Sequence, residues 1–539
     1  MMTNRFANTW AILRLDLRHD WLKITLWIGG LAGLMVIAAG KFGGIYSTQQ
    51  ALVSIAETLK TPAMVALFGP FTATPPYAVA VIYGAEMMVF MGLFAAMMNV
   101  YFAVHATRAE EDSGTAELIL ARAVGRQSQL AAAMLELVLI NVAAGCLEAL
   151  GLQAANMAGS NAAGDWLFGL GLAAFGLMFG AAALLAAQVM SSARGATTLS
   201  YGWLGVTFIA RMATDVANPD WTWWTFFGWI EKMGLYTTNR WLPVGLMLGF
   251  SVVVLAIAVT VAATRDIGAG IVSPRPGRRT ARAWLQGPLT LLVRLERTST
   301  LIWWLGLFIL GAAYGSIFGT VGDLVKSNPM LAKLLGNSGV TAANHAVILS
   351  LANTLTVIFA VVATIPAVTT LLRLNTEERQ GRLELLHAAP VSRLRLFSAT
   401  VIQALVSGTA ALALGVLGMA VAGNAVMTSP ISLARFMRGF VGYWPALLVV
   451  CGLAALLVGC WPRWQRLIWL VPVYGVLSKY LGPMLNFPDW AQRLTPYGWV
   501  NAVPQHAVAW PPVAGMVALG VAFLVIAGIG YRRRDLTMN

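Results

Sequence analysis

The sequence predicts an all-α polytopic membrane protein of about 12 transmembrane helices, arranged as two parallel six-helix repeats. Three observations carry that prediction. Of 539 residues, 58% are hydrophobic and only 11% charged, a composition of the membrane class. Apolar stretches long enough to cross ~30 Å of hydrocarbon, about 20 residues each, recur from one end to the other. The second half of the chain also repeats the first.

The expected spans are 22–40, 78–104, 130–155, 166–190, 198–214, 243–263, 299–319, 345–372, 397–423, 440–460, 466–485 and 511–530. The fifth and eleventh carry polar residues and run into aromatic, Pro-containing stretches. An even number of crossings returns both ends to one side. Most of the 36 Lys and Arg residues, among them Arg275, Arg278, Arg279, Arg282, Arg373, Arg393 and Arg532 to Arg534, fall in segments on the side of the N-terminus. Retention of positive charge inside therefore places both termini in the cytoplasm. The Ala- and Gly-rich usage suggests a bacterial plasma membrane.

The net charge of +14 then reflects topology and attraction to anionic lipid. A nucleic-acid partner would need a basic face on a soluble domain, and the spans leave no room for one. Cys146, Cys451 and Cys460 fall in or at the end of apolar spans and read as small hydrophobes, without disulfide or metal spacing. Arg14, Asp16, Arg18, His19 and Asp20 precede the first span, unlike the cationic start of a cleaved signal peptide.

The repeat is the most informative feature. Residues 110–126 align with 377–393 at a constant offset of 267. Eight of those 17 positions are identical: Glu110/Glu377, Glu111/Glu378, Gly114/Gly381, Glu117/Glu384, Leu118/Leu385, Ala121/Ala388, Val124/Val391 and Arg126/Arg393. Pro219-Asp220-Trp221 answers to Pro488-Asp489-Trp490, and Arg265-Asp266 to Arg534-Asp535. The halves are read as residues 1–267 and 284–539, joined by a cytoplasmic linker over 268–283 that holds Pro274, Pro276, Gly277 and four arginines. An axis along the membrane normal would relate them, with a transport pathway between.

In each half the acidic segment follows the second span. Glu110 and Glu117, like Glu377 and Glu384, are seven apart, on one side of a helix two turns long. A solvated loop helix with acids at its positive end is the plain reading. The same spacing with the same glycine and terminal arginine, twice over, favours a docking surface for two copies of a soluble partner. Its residues are Glu110, Glu111, Gly114 and Glu117 in one half, and Glu377, Glu378, Gly381 and Glu384 in the other.

At these residues the chain resembles the type-2 ABC exporter permeases, and more narrowly the two-repeat form of tetronasin-type antibiotic and multidrug efflux in actinobacteria. In that family an E-x-x-x-G-x-x-E-L-L-like segment follows the second helix of each unit and an amphipathic elbow precedes the first. The resemblance implies two copies of a soluble ATP-binding-cassette subunit as partners, with ATP and Mg on that subunit. It also implies a small hydrophobic or amphiphilic cargo moved outward. Phe6, Trp10, Leu13, Leu17 and Trp21 give the elbow its apolar stripe, which would lie in the interface plane.

The aromatic segments Asp220 to Trp241 and Asp489 to Trp510 read either as an interfacial belt or, following the resemblance, as re-entrant exit gates. The gate residues are then Trp221, Trp224, Phe227, Trp229, Trp490, Tyr497 and Trp499. Ionisable or polar residues inside spans, Glu86 with Asn353 and Glu136 with Gln403 as repeat counterparts, either line a translocation cavity or hydrogen-bond between helices. Glu148 has Gly415 as its counterpart.

No phosphate loop G-x-x-x-x-G-K-[ST] and no H-E-x-x-H occurs. The five histidines are scattered, so no catalytic residue, metal site or cofactor is expected in this chain. A proton-coupled secondary transporter with two six-helix repeats is the alternative. It would use Glu86, Glu136 or Glu148 as carriers.

Overall fold

The computed structural model describes residues 5–266, 268–272, 280–281, 283–319, 329–383, 391–476, 478 and 488–534. Half of the expected linker, residues 273–279 and 282, lies outside them. The chain divides into two compact units, Met1–Gly277 and Arg278–Asn539.

The first unit contains α1 (Thr9–Ile45), α2 (Gln49–Leu59), α3 (Pro62–Phe68), α4 (Val79–Val104), α5 (Glu110–Ser113) and α6 (Thr115–Leu120). It continues with α7 (Ser128–Ala155), α8 (Ala162–Val189), α9 (Ala193–Ala217) and α10 (Leu242–Thr264). The second contains α11 (Pro288–Gly315), α12 (Pro329–Arg379), α13 (Arg393–Val426), α14 (Leu433–Cys460), α15 (Leu470–Val476), α16 (Asp489–Gln492) and α17 (Trp510–Arg533).

Among the described residues ten helices are long and apolar enough to cross a membrane: α1, α4 with its continuation, α7, α8, α10, α11, α12, α13, α14 and α17. The protein is a multi-pass, all-α membrane protein. The expected fifth span is the 25-residue α9, which is not one of these ten. It carries Arg194, Arg211 and Asp215, which lower its hydropathy. The expected eleventh begins as a 3-10 turn, Pro462–Trp469, and α15; residues 479–487 lie outside the described set.

The elbow differs from expectation. No Gly or Pro interrupts residues 9–28, and α1 runs unbroken for 37 residues, roughly 55 Å at 1.5 Å per residue. The elbow is therefore the first turns of a rod that continues as the first span. Leu22, Leu26, Leu34 and Ile37 on this rod are exposed, the lipid-facing pattern of a span at the edge of a bundle.

In the first unit α8 is the central helix. Its start is capped by Asn161, whose side chain accepts from Gly164 N at 2.7 Å. Between α4 and α7, Asn99 and Asn141 bond reciprocally at 2.9 and 2.6 Å, and each amide also donates to the carbonyl four residues back. All of these buried groups are thereby satisfied. Offset by 267, the second unit has Pro366 and Gly408 instead. Asn141→Leu is expected to leave Asn99 Oδ1 and one of its amide hydrogens without a partner and cost about 1–2 kcal/mol, read as a lower midpoint in thermal size-exclusion chromatography.

In the second unit α11 and α13 meet backbone to backbone. A Cβ added at Gly311 would stand 2.0 Å from the Gly415 carbonyl oxygen, and one at Gly315 2.3 Å from that of Met419. Lipid tails offer no hydrophobic drive for helix association, so such close approach of small residues supplies the packing.

Candidate functional site

The acidic segment of the first unit grows out of α4 through a π-helical turn, His105–Ala109. It is not the single two-turn helix the spacing predicts. Gly114 adopts φ +79°, the left-handed conformation that costs a glycine nothing, and separates α5 from α6. Gly381 does the same in the second unit at φ +69°. The joint sends the two ends of the segment in different directions. Glu117 is exposed and Leu118 beside it is 75% exposed, whereas Glu110 and Glu111 turn inward.

Glu111 is a structural acid. Its carboxylate accepts from Arg108 Nη1 at 2.7 Å and from both terminal nitrogens of Arg265, one of them at 2.9 Å. Arg108 is fully buried and its Nη2 donates to the Gly268 carbonyl at 2.8 Å. Arg265 also reaches Gln188 on α8 at 2.8 Å, and Arg126 donates to the Arg265 carbonyl. The segment is thus fastened to the end of α10, the last helix of its unit.

The second unit repeats the arrangement. Glu378, 7% exposed, pairs with Arg534 after α17, and Arg393 donates to the Arg534 carbonyl at 3.2 Å. Two of the paired acids and both terminal arginines of the repeat motif therefore have a shared structural job: holding the last helix of each unit.

The first acids face the elbows. Glu110 accepts from Gln129 Nε2 at 2.7 Å and lies within electrostatic reach of Asp20. Asp20 itself holds Lys23 at 2.6 Å and His105 at 3.4 Å. Glu377 instead has Arg373 at 3.1 Å, and that same Arg373 reaches Glu296 of α11 at 3.7 Å. Ala106 stands at the corresponding place in the first unit, so the two junctions differ in charge balance. Glu384 lies outside the described residues.

The N-terminus is tied to this segment as well. Gly125 N donates to Ala7 O at 3.0 Å, Gln127 N to Arg5 O at 3.0 Å, and Ser128 Oγ to Ala7 O at 2.7 Å. Ile12 and Leu13 of α1 pack with Ala132, and Ile119 of α6 packs against the same cluster. A Cβ at Gly125 would lie 2.3 Å from the Arg5 carbonyl oxygen. Gly125→Val is expected to cost about 1–3 kcal/mol and to make the chain cleavable within residues 5–8 by limited proteolysis of the folded protein.

The aromatic segments are also built alike. Phe227 and Tyr497 are both fully buried, while Trp221, Trp224, Trp490 and Trp499 are exposed. Trp229 Nε1 donates to Trp223 O at 2.8 Å, and Trp499 Nε1 to Arg493 O at 2.9 Å. Behind the first segment lies a cluster that span-counting overlooks, although an arginine inside an expected span is itself a signal. Arg211 is fully buried; it pairs with Glu231 and, at 3.4 Å, with Asp215, and donates to Ala66 O at 2.7 Å. Its guanidinium lies 4.7 Å from the Phe208 ring centroid. Burial pushes the Glu231 carboxyl up to about 8, although the adjacent Arg211 charge pulls it down.

Of the polar residues proposed for a cavity, Glu86 accepts from Tyr46 Oη at 3.2 Å. Glu136 is 1% exposed with neither carboxylate oxygen partnered, Gln403 is 5% exposed, and Asn353 Oδ1 is buried without a partner. Among the described residues no three His, Cys, Asp or Glu side chains are grouped to hold a metal ion.

Residues 285–532 match the family profile described as multidrug efflux system permease Rv1217c, C-terminal domain. The chain is also 32% identical over 534 residues, 98% of its own length and 96% of the relative's, to the multidrug efflux system permease protein Rv1217c of Mycobacterium tuberculosis (strain ATCC 25618 / H37Rv). The chain belongs to this permease family. It is accordingly a membrane transport permease rather than an enzyme, and permeases of an efflux system work with partner components. The motif-bearing ends of both units fall within the length shared with this family.

Proposed function

We propose that the chain is the membrane subunit of an ATP-driven exporter, moving hydrophobic or amphiphilic small molecules outward. A separate soluble ATP-binding-cassette subunit, used twice, would hydrolyse ATP with Mg. It would dock on the ends of the two acidic segments, with both termini of this chain on the same, cytoplasmic side. The observation that carries the reading is the form of the first segment: an exposed Glu117-Leu118 tip beyond a left-handed glycine, with its base locked to α10 through Glu111 and Arg265. An exposed acid beside an exposed apolar side chain suits a partner groove with a basic rim. A tip anchored at its base transmits a push instead of folding away.

Affinity purification of the full-length chain from its native membrane, with its neighbouring gene products co-expressed, tests this. A soluble ATPase is expected to co-purify, and Glu117→Arg with Glu384→Arg is expected to reduce its retention at least tenfold, about 1.4 kcal/mol. Transport that persists on a proton gradient with no ATPase bound would sink the proposal. That outcome would favour the secondary-transporter alternative, for which the unpartnered Glu136 carboxylate is the natural carrier.

A further inference from the structure

The acids and the arginines of the α1 elbow are sorted onto opposite sides of the helix. Asp16 and Asp20 are 7% and 5% exposed and face into the first unit. Arg14 and Arg18 are exposed. At 100° per residue they lie about 160° around the helix from those acids. Trp10, Arg14, Leu17, Arg18 and Trp21 are spaced so that they share one face. Trp10 and Trp21 are 63% and 61% exposed at its two ends. These side chains, with Leu13, line a groove of about 390 Å³. Among the described residues neither Arg14 nor Arg18 has an ion pair or hydrogen-bond partner.

Position along the rod fixes what this face meets. Leu22 and Leu26 follow directly and are 53% and 67% exposed, so the hydrocarbon boundary falls near Trp21. Arg14 and Arg18 then stand roughly 12–18 Å from Leu26 along the axis, at headgroup depth, with Trp21 at the interface. Two guanidinium groups one turn apart can fork the oxygens of one phosphodiester. With the local acids turned away, nothing on this face offsets a net negative headgroup.

We propose that this face of α1 is a binding site for one anionic phospholipid of the leaflet on the N-terminal side, its phosphate held by Arg14 and Arg18, its glycerol region against Trp21 and the outer end of its headgroup toward Trp10. The site is independent of the ATP-driven reading.

The test uses the purified full-length chain, extracted from bilayers of phosphatidylglycerol and phosphatidylcholine with matched acyl chains and examined for retained lipid by native mass spectrometry. The wild type is expected to retain phosphatidylglycerol about tenfold over phosphatidylcholine. Arg14→Gln with Arg18→Gln is expected to bring the ratio near one, while Arg532→Gln with Arg533→Gln, an equal loss of charge at the end of α17, leaves it unchanged. Should the glutamine variant lose its monodisperse elution, Arg14→Lys with Arg18→Lys keeps the charge but not the fork and must still lower the ratio at least threefold. Three results would overturn the proposal: no preference in the wild type, an equal loss in the α17 variant, or full displacement of the lipid by millimolar inorganic phosphate.

Discussion

Replacing Glu111 by Ala is expected to lower the stability of the first unit by about 3–5 kcal/mol, because it leaves the buried Arg108 and Arg265 charges facing each other with only the half-exposed Asp112, 3.6 Å from Arg108, as a remaining acid. For a unit of this size that is a midpoint shift of roughly 6–15 °C, measurable by thermal size-exclusion chromatography. Under the proposed ATP-driven function, the same change is expected to leave retention of the ATPase subunit largely intact, since Glu117 is untouched, while drug-stimulated ATP hydrolysis by the assembled complex falls. The second unit allows a cleaner control. Asn375 stands where Arg108 stands in the first, so Glu378→Arg with Arg534→Glu can exchange the pair without creating a new repulsion. The swap is expected to recover more than half of the stability lost by Glu378→Ala. If both single replacements were silent, the fastening of segment to last helix would have no energetic content.

Arg211→Leu is expected to have the second large effect. It removes the cation from a site holding Asp215 and Glu231, a change again worth about 3–5 kcal/mol for a broken buried pair. The loss should depend on pH. Glu231 has its folded value raised to about 8 from an ordinary 4.5, so between those values the folded chain holds a proton that the unfolded chain releases. Stability from this group is therefore present below the unfolded value and declines as pH rises through the folded one. Arg211→Leu should accordingly be milder at pH 6 than at pH 8.5, and adding Glu231→Gln should remove most of that difference. Thermal midpoints of the three proteins at both pH values decide it; a pH-independent loss would mean that Glu231 does not take up the proton.

What the sequence made legible follows from the range of each interaction. Hydrophobic runs of span length are local, and ten of the expected helices stand where the runs lie. The repeat marked Glu111, Arg126 and Arg265 together with Glu378, Arg393 and Arg534. The pairing between them spans 154 and 156 residues, and one sequence carries no signal for a contact at that separation. The seven-residue spacing of Glu110 and Glu117 suggested one continuous helix because helical periodicity says nothing of a left-handed joint, although a glycine midway was the available hint. Asn99 with Asn141 went unmarked because uncharged amides inside a span resemble any other polar residue until their partners are known.

The unbroken course of α1 has a mechanical corollary. A rod of roughly 55 Å behaves as a lever: a tilt of about 10° around its far end would carry the Trp10 end sideways by about 10 Å. Residues 5–8 and the turn at 123–128 that they hydrogen-bond would have to travel with it. Because Ile12, Leu13, Leu31, Met35 and Phe42 are buried along its length, such a stroke would have to slide the rod across the helices it packs on, α7 above all.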